Sequence, residues 1–169
     1  MKKLACAVLS SLVFAAAAAP ALAQTTTPAT TPAKAAPPKG FDSLGWLAGT
    51  RYIDRGNGVK SYETWTGPAG GYVSGAVASP SNGGLAEFFV IGPNDQGVYG
   101  LKVANTTKGL TNWTFRPIVI LEPGKIKFAD ATGSFSIEHT PDGGIHNIAT
   151  KIENGKETQT GEWFWLPVK

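Results

Sequence analysis

Cysteine is almost missing from this chain: its 169 residues contain one, Cys6, near the amino terminus. A disulfide framework within the chain is excluded, as is a zinc or iron–sulfur site built on cysteines. Histidine is nearly as scarce. His139 and His146 are the two present, and no H-x-H or H-E-x-x-H pattern gathers ligands for a metal. Charged residues make up 16% of the chain, too few for a solvated helical bundle, which is richer in Lys and Glu. No G-x-S-x-G elbow occurs. Gly70-Gly71 and Gly83-Gly84 lie between strand-like runs instead of opening helices, so the amide cradle of a phosphate loop is also missing. Beyond residue 23 no apolar run approaches the ~18–20 residues that a membrane-spanning helix requires.

Basic charge is scarcer than it first looks. The formal net charge of +3 includes Lys2 and Lys3, which precede an apolar run over residues 4–19 and the small-residue pattern Ala21-Leu22-Ala23. This is the arrangement of a secretory signal cleaved after Ala23. Residues 1–23 are therefore expected to be a signal peptide, and the mature protein periplasmic or secreted, from a bacterium. Once the two lysines leave, the net charge is close to zero, which removes the long-range field that would recruit nucleic acid or anionic lipid. Cys6 leaves with the signal and lies ahead of the cleavage pattern, so no lipid anchor is expected. Residues 24–40, rich in Thr, Ala and Pro with no aromatic or large aliphatic side chain, predict a disordered linker.

What remains, residues 41–169, holds all 5 Trp, all 4 Tyr and most of the 8 Phe, and much of the 21 Gly. Strand-length runs recur at intervals of roughly 8–12 residues between turn signals. Ten are expected, near residues 49–55, 60–66, 71–78, 85–92, 97–104, 110–121, 125–130, 134–139, 145–152 and 157–167. Turns such as Gly56-Asn57-Gly58, Pro123-Gly124 and Asn154-Gly155 are short enough to permit antiparallel neighbours alone. An antiparallel meander of this length leaves two exposed edges unless it closes. The fold class is therefore all-β, a single antiparallel meander barrel. Before the first strand, Phe41, Leu44 and Leu47 recur at helical spacing with Trp46 beside them, predicting a short helical plug with Asp42 or Ser43 as its cap.

The plug followed by a strand, Phe41 through Thr50, resembles the start of the calycin barrels, which include lipocalins, fatty-acid-binding proteins and nitrobindin-like haem proteins. More narrowly, Trp46-Leu47-Ala48-Gly49 and Glu63-Thr64-Trp65, followed by Gly70-Gly71 and Gly75, are similar to an uncharacterised bacterial domain family opening with a WLxGxW-type motif. The resemblance implies a calycin-like barrel over most of residues 41–169 and carries no activity. Two positions depart from that pattern. Arg51 stands where the family has a second tryptophan, and Gly133-Ser134 stand where it tends to have a histidine–aspartate pair.

In a barrel, alternate side chains enter the lumen, where a ligand sits. Along Ser61-Tyr62-Glu63-Thr64-Trp65, Glu63 and Trp65 share one face, so a carboxylate beside an indole is a candidate for orienting a polar head group; packing of Trp65, with Glu63 satisfying a buried polar group, is the alternative. Arg116 is a candidate for a ligand carboxylate, although the wholly apolar row Trp113, Phe115, Pro117, Val119 and Leu121 reads as the core face and would turn Arg116 to solvent. His146, sharing a face with Ile148 and Ile152, is the candidate axial ligand if the barrel holds haem; with no C-x-x-C-H motif, no cofactor is otherwise expected. Paired carboxylates, Glu63 with Glu87 or Glu162, are conceivable in the lumen. Trp163 and Trp165 on one face with Phe164 and Leu166 on the other predict a last strand covered on both sides, closing the barrel. The reading is an exported barrel that binds a small, mostly apolar molecule noncovalently. A structural or interaction module with a packed interior is the rival reading, and a barrel enzyme the third.

Overall fold

Phe41, Leu44 and Leu47 are spaced by three, the repeat of a 3₁₀ helix rather than the 3.6 of an α-helix, and the chain forms a 3₁₀ helix over Phe41–Leu47 with all three side chains buried. Gly40, in the left-handed conformation at φ 88°, starts it without a side-chain cap. Ser43 instead donates its hydroxyl back to the Gly40 carbonyl at 2.6 Å. Asp42 and Ser43 are thus not the cap. The computed structural model describes residues 35–80, 84–106 and 109–169. The expected signal peptide and residues 24–34 of the expected linker lie outside the described residues.

Ten strands follow the helix: β1 (Gly49–Asp54), β2 (Lys60–Trp65), β3 (Val73–Ser79), β4 (Gly84–Pro93), β5 (Tyr99–Asn105), β6 (Thr114–Glu122), β7 (Lys125–Asp130), β8 (Gly133–His139), β9 (Ile145–Glu153) and β10 (Lys156–Pro167). Each pairs antiparallel with the next, and β10 returns to β1, so the sheet is a closed barrel. This fits the calycin-like fold. Two-residue turns join β6 to β7, β7 to β8 and β9 to β10. Asn154, at φ 53°, precedes Gly155 at φ 75° between β9 and β10, which is the left-handed pair that a tight hairpin requires. The helix reaches the barrel where β1 begins, so it plugs that end, and the hairpin ends at residues 55–59, 131–132 and 154–155 surround the other.

Alternation sets the interior. Ser61, Glu63 and Trp65 of β2 are buried while Tyr62 and Thr64 are exposed. Val73 and Val77 of β3 and Phe89 and Ile91 of β4 continue the inner face. The main departure from the expected faces is on β6. Its pairing with β7 shifts between Ile118 and Ile120, a bulge that reverses which side chains point inward. Ile118 and Leu121 pack on the core, Val119 is 54% exposed and Trp113 precedes the strand, 47% exposed. Phe115 lies over the open face of Gly100, where a Cβ would come within 2.5 Å of its ring. The apolar row Trp113-Phe115-Pro117-Val119 is therefore not the core face, because aromatic cover of a strand glycine and a bulge both override simple alternation. The last strand differs too. Trp163 and Trp165 face inward, but Phe164 and Leu166, 57% and 44% exposed, leave its outer face uncovered.

Phe41, Leu44 and Leu47 are the fully buried side chains of the plug, while Trp46 is half-buried, packing against the edge of the core with its ring 5.6 Å from that of His139. The linker also ends earlier than its composition implies. Ala35 packs against the core and its carbonyl accepts a hydrogen bond from the Tyr99 hydroxyl at 3.3 Å. Ala36, Pro38 and Lys39 lie beside Tyr99, Ile118 and Leu121, where β5 and β6 pair through four residues each, Gly100–Val103 against Thr114–Pro117. The segment thus covers a splay in the wall. A chain starting at residue 41 should melt a few degrees below one starting at residue 35, a loss of about 1 kcal/mol for a domain of this size. Equal midpoints by calorimetry would show that this cover adds nothing.

Arg51 is the joint between plug and barrel. Its side chain, 4% exposed, donates to the carbonyls of Leu47 at 2.7 Å, Trp46 at 2.8 Å and Gly143 at 3.2 Å. The first two are carbonyls at the carboxyl end of the helix, which no further helical turn satisfies. A tryptophan at this position could not donate to three acceptors. Arg51→Met, which keeps bulk but strands buried carbonyls, should cost about 2–4 kcal/mol in urea unfolding. Arg51→Lys should recover part of that, because a single ammonium cannot reproduce the planar fork.

Candidate functional site

The inner face of the barrel is only partly filled. Around the plug, Phe41, Leu44, Leu47, Ile91, Ile126, Phe128, Ile137 and Ile145 form a dense apolar core. Toward the open end, a cavity of about 580 Å³ is walled by Val77, Ala86, Phe89, Phe135, Trp163 and Trp165, with Glu63, Glu87, Asn105 and Asn147 among them and Arg55 at its edge. A second space of about 420 Å³ shares Glu87, Phe89, Phe135 and Trp163 with the first and reaches Arg116, Asp130 and Thr132.

Register explains the polar lining. Arg51 pairs with Glu63, Glu63 with Val77, Val77 with Glu87 and Glu87 with Asn105. One inward row thus crosses five strands and carries four polar side chains and one valine. The next row, Trp65, Gly75, Phe89 and Val103, is apolar. Gly75 is required in it, because a Cβ there would meet the Trp65 ring at 2.6 Å. Freed from that clash, Trp65 lies flat on Phe89, with ring centres 5.1 Å apart and planes at 11°.

Glu63 is the centre of the site. It is 1% exposed. Its carboxylate receives the indole N–H of Trp65 and the Asn147 amide at 3.3 Å. Burial is the dominant influence and pushes its pKa up to about 7; the hydrogen bonds from Trp65 and Asn147 and the charge of Arg51 oppose this, and Glu87 adds to it. Arg51 stands opposite in register but turns its guanidinium to the plug carbonyls. The polar wall retains unsatisfied capacity: Asn147 Oδ1 and Trp165 Nε1 are buried polar atoms without a hydrogen-bond partner, on residues that line the same cavity.

The remaining candidates fall in different places. Arg116 faces the second space rather than solvent, half-buried, with Nε 3.2 Å from Asp130 Oδ2. Burial alone would raise the Asp130 carboxyl, but the Thr132 hydroxyl and amide and the Arg116 guanidinium together hold it below its ordinary value. Glu87 joins Glu63 in the lumen, whereas Glu162 does not. His146 is outside the barrel. It stacks on exposed Phe164 at 4.2 Å and pairs with Glu162 at 2.8 Å. Its neighbour in sequence, Asn147, is the one that enters the lumen, so His146 cannot serve as an axial ligand to a group held there. His139 lies against Trp46, and no group of three or more metal-ligating side chains occurs among the described residues. No helix among the described residues is long and apolar enough to cross a membrane.

Asn147 was missed by sequence reading, and alternation from Ile145 was the signal that could have found it. Pairing Trp163 with Asn147 and Trp165 with Ile145 puts all four on the inner face. Comparison with family models, with curated proteins and with solved structures gives no match to this chain.

The Glu63 carboxyl gives a pH signature. Below about pH 4.5 it is protonated in folded and unfolded chains alike. Between there and about pH 7 the folded chain keeps a proton that the unfolded chain has released, so stability falls as pH rises through this window. The span corresponds to about 3 kcal/mol. Glu63→Gln should remove this fall. Urea unfolding of both proteins from pH 4 to pH 8 should therefore show a stability difference that moves by about 3 kcal/mol in favour of the variant as pH rises; parallel curves would show that the carboxyl titrates normally.

Proposed function

We propose that this chain is an exported barrel that binds a small amphipathic molecule noncovalently in its lumen. One observation carries the reading: a cavity of about 580 Å³ remains inside a closed barrel, with a buried carboxylate on its wall. The volume is in the range of small-molecule sites. A packed structural module would fill it with the available Trp and Phe, since interiors close to crystal-like density. A buried carboxylate held by neutral donors lowers stability, which a purely structural barrel has no reason to retain.

The lining moves the ligand class from mostly apolar to amphipathic. Aromatic walls suit a ring or short chain, and Glu63, Asn147, Glu87 and Asn105 suit polar groups on it. Export is supported by Lys2, Lys3, the apolar run over residues 4–19 and Ala21-Leu22-Ala23. The motifs Trp46-Leu47-Ala48-Gly49 and Glu63-Thr64-Trp65 support a place among the calycin-like binders.

Native mass spectrometry of the protein purified from its own host tests the reading. A complex heavier than the mature chain, losing a small molecule on denaturation, is the expected result. The bare chain alone in every preparation, together with a calorimetric screen of apolar and amphipathic compounds that produces no heat, would overturn it.

A further inference from the structure

The lining of the main cavity carries two carboxylates and one cation. Arg116 is matched by Asp130, and Arg51 is turned onto three carbonyls. The two carboxylates, Glu63 and Glu87, share that lining with Arg55, whose Nε donates to Ser61 at 3.2 Å. Glu63, with no cation in its hydrogen-bond shell, is the deeper of these groups. Beside it, Asn147 Oδ1 is a second buried acceptor, itself unpartnered, on a residue 4% exposed. Two acceptors on adjacent side chains, walled by Phe89, Phe135, Trp163 and Trp165, match the needs of a protonated amine. Such a group donates more than one N–H, carries the charge that a buried carboxylate lacks, and is attracted to aromatic faces.

We propose that the lumen is selective for an amphipathic molecule bearing a protonated primary or secondary amine, whose N–H groups donate to Glu63 and Asn147 while its apolar part lies against the aromatic wall. This rests on the lumen being a ligand site. The amine gives Glu63 a cation in direct hydrogen-bond contact, which Arg51, acting on it by charge alone while bonded to carbonyls, does not. The unpartnered Trp165 N–H takes an oxygen of the same molecule where it has one.

Isothermal titration calorimetry with three compounds that share one ring system tests the inference: tryptamine, tryptophol and indole-3-propionate. With the full mature chain at pH 8, tryptamine should bind at least about tenfold more tightly than either of the others. Glu63→Gln, whose stability relative to the parent is more favourable at that pH than in acid by the linkage above, should weaken tryptamine about tenfold and leave tryptophol within about twofold. Asn147→Leu should weaken tryptamine more than its N,N,N-trimethyl derivative, which has no N–H to donate. Equal or tighter binding of the alcohol or the acid, or an unchanged tryptamine affinity in Glu63→Gln, would overturn amine selectivity and leave the lumen reading standing. Silence from all three compounds would overturn the amine inference, and the mass-spectrometric result would then decide the lumen reading by itself.

Discussion

Closure of the barrel depends on a short seam. Every other neighbouring pair of strands shares at least four paired positions, but β1 and β10 pair through Arg51 with Pro167 and Tyr52 with Leu166, supplemented by the Val168 amide on the Thr50 carbonyl at 3.2 Å. Without this seam, β1 and β10 would be free edges and the alternation that makes a lumen would have no enclosed side to point toward. Arg51 strengthens the seam from within. It sits on β1, yet its guanidinium joins the plug, through Leu47 and Trp46, to the β8–β9 turn, through Gly143. Closure, plug and end turn are therefore one hydrogen-bonded unit at one end of the barrel, which leaves the other end free to remain open.

That asymmetry divides the interior. At the plugged end, Phe41, Leu44, Leu47 and the surrounding Ile and Phe side chains exclude water and are among the most completely buried in the molecule. Stability concentrated there lets the open half hold polar groups that a core would not tolerate. The row from Arg51 through Glu63 and Glu87 to Asn105 marks the boundary. On its plug side Arg51 is satisfied by backbone carbonyls, and beyond it the carboxylates face the cavity. A single register step would turn Glu63 outward and Tyr62 inward. The pairing of Glu63 with Arg51 and with Val77 is accordingly what fixes the chemistry of the site as well as the fold.

The strand count, the antiparallel meander, closure and the plug were legible because each rests on local signals: turn residues, alternation and a spacing of three. Glu63 and Trp65 were legible as an inward pair on the same grounds. The failures share a different cause. For Arg116, a candidate for a ligand carboxylate, the longer apolar row on the other face of β6 argues an outward orientation; a bulge at Val119 and the cover that Phe115 gives Gly100 decide that face, and neither appears in a period-two pattern. His146 was assigned with Ile148 and Ile152 as though that face were inner, when Ile145 and Asn147 define the lumen side. Residues 35–40 lack large side chains, but a splay between β5 and β6 gives small ones a place to pack. Nonlocal geometry, which no window of sequence reports, accounts for all three.

The persistence of Glu63 is best understood against the alternatives open to its position. A leucine or methionine there would extend the wall of Val77, Phe89 and Trp165 and add apolar burial. A glutamine would keep the bonds to Trp65 and Asn147 without a buried charge. Both relieve a desolvation cost that the hydrogen bonds present do not offset, since the carboxyl is still driven up to about 7. The interior supplies donors for its two oxygens but no salt-bridging cation, and leaves Asn147 Oδ1 unsatisfied beside it. A carboxylate and an amide left in that condition are incomplete as core, and a positively charged donor entering from the open end completes both at once.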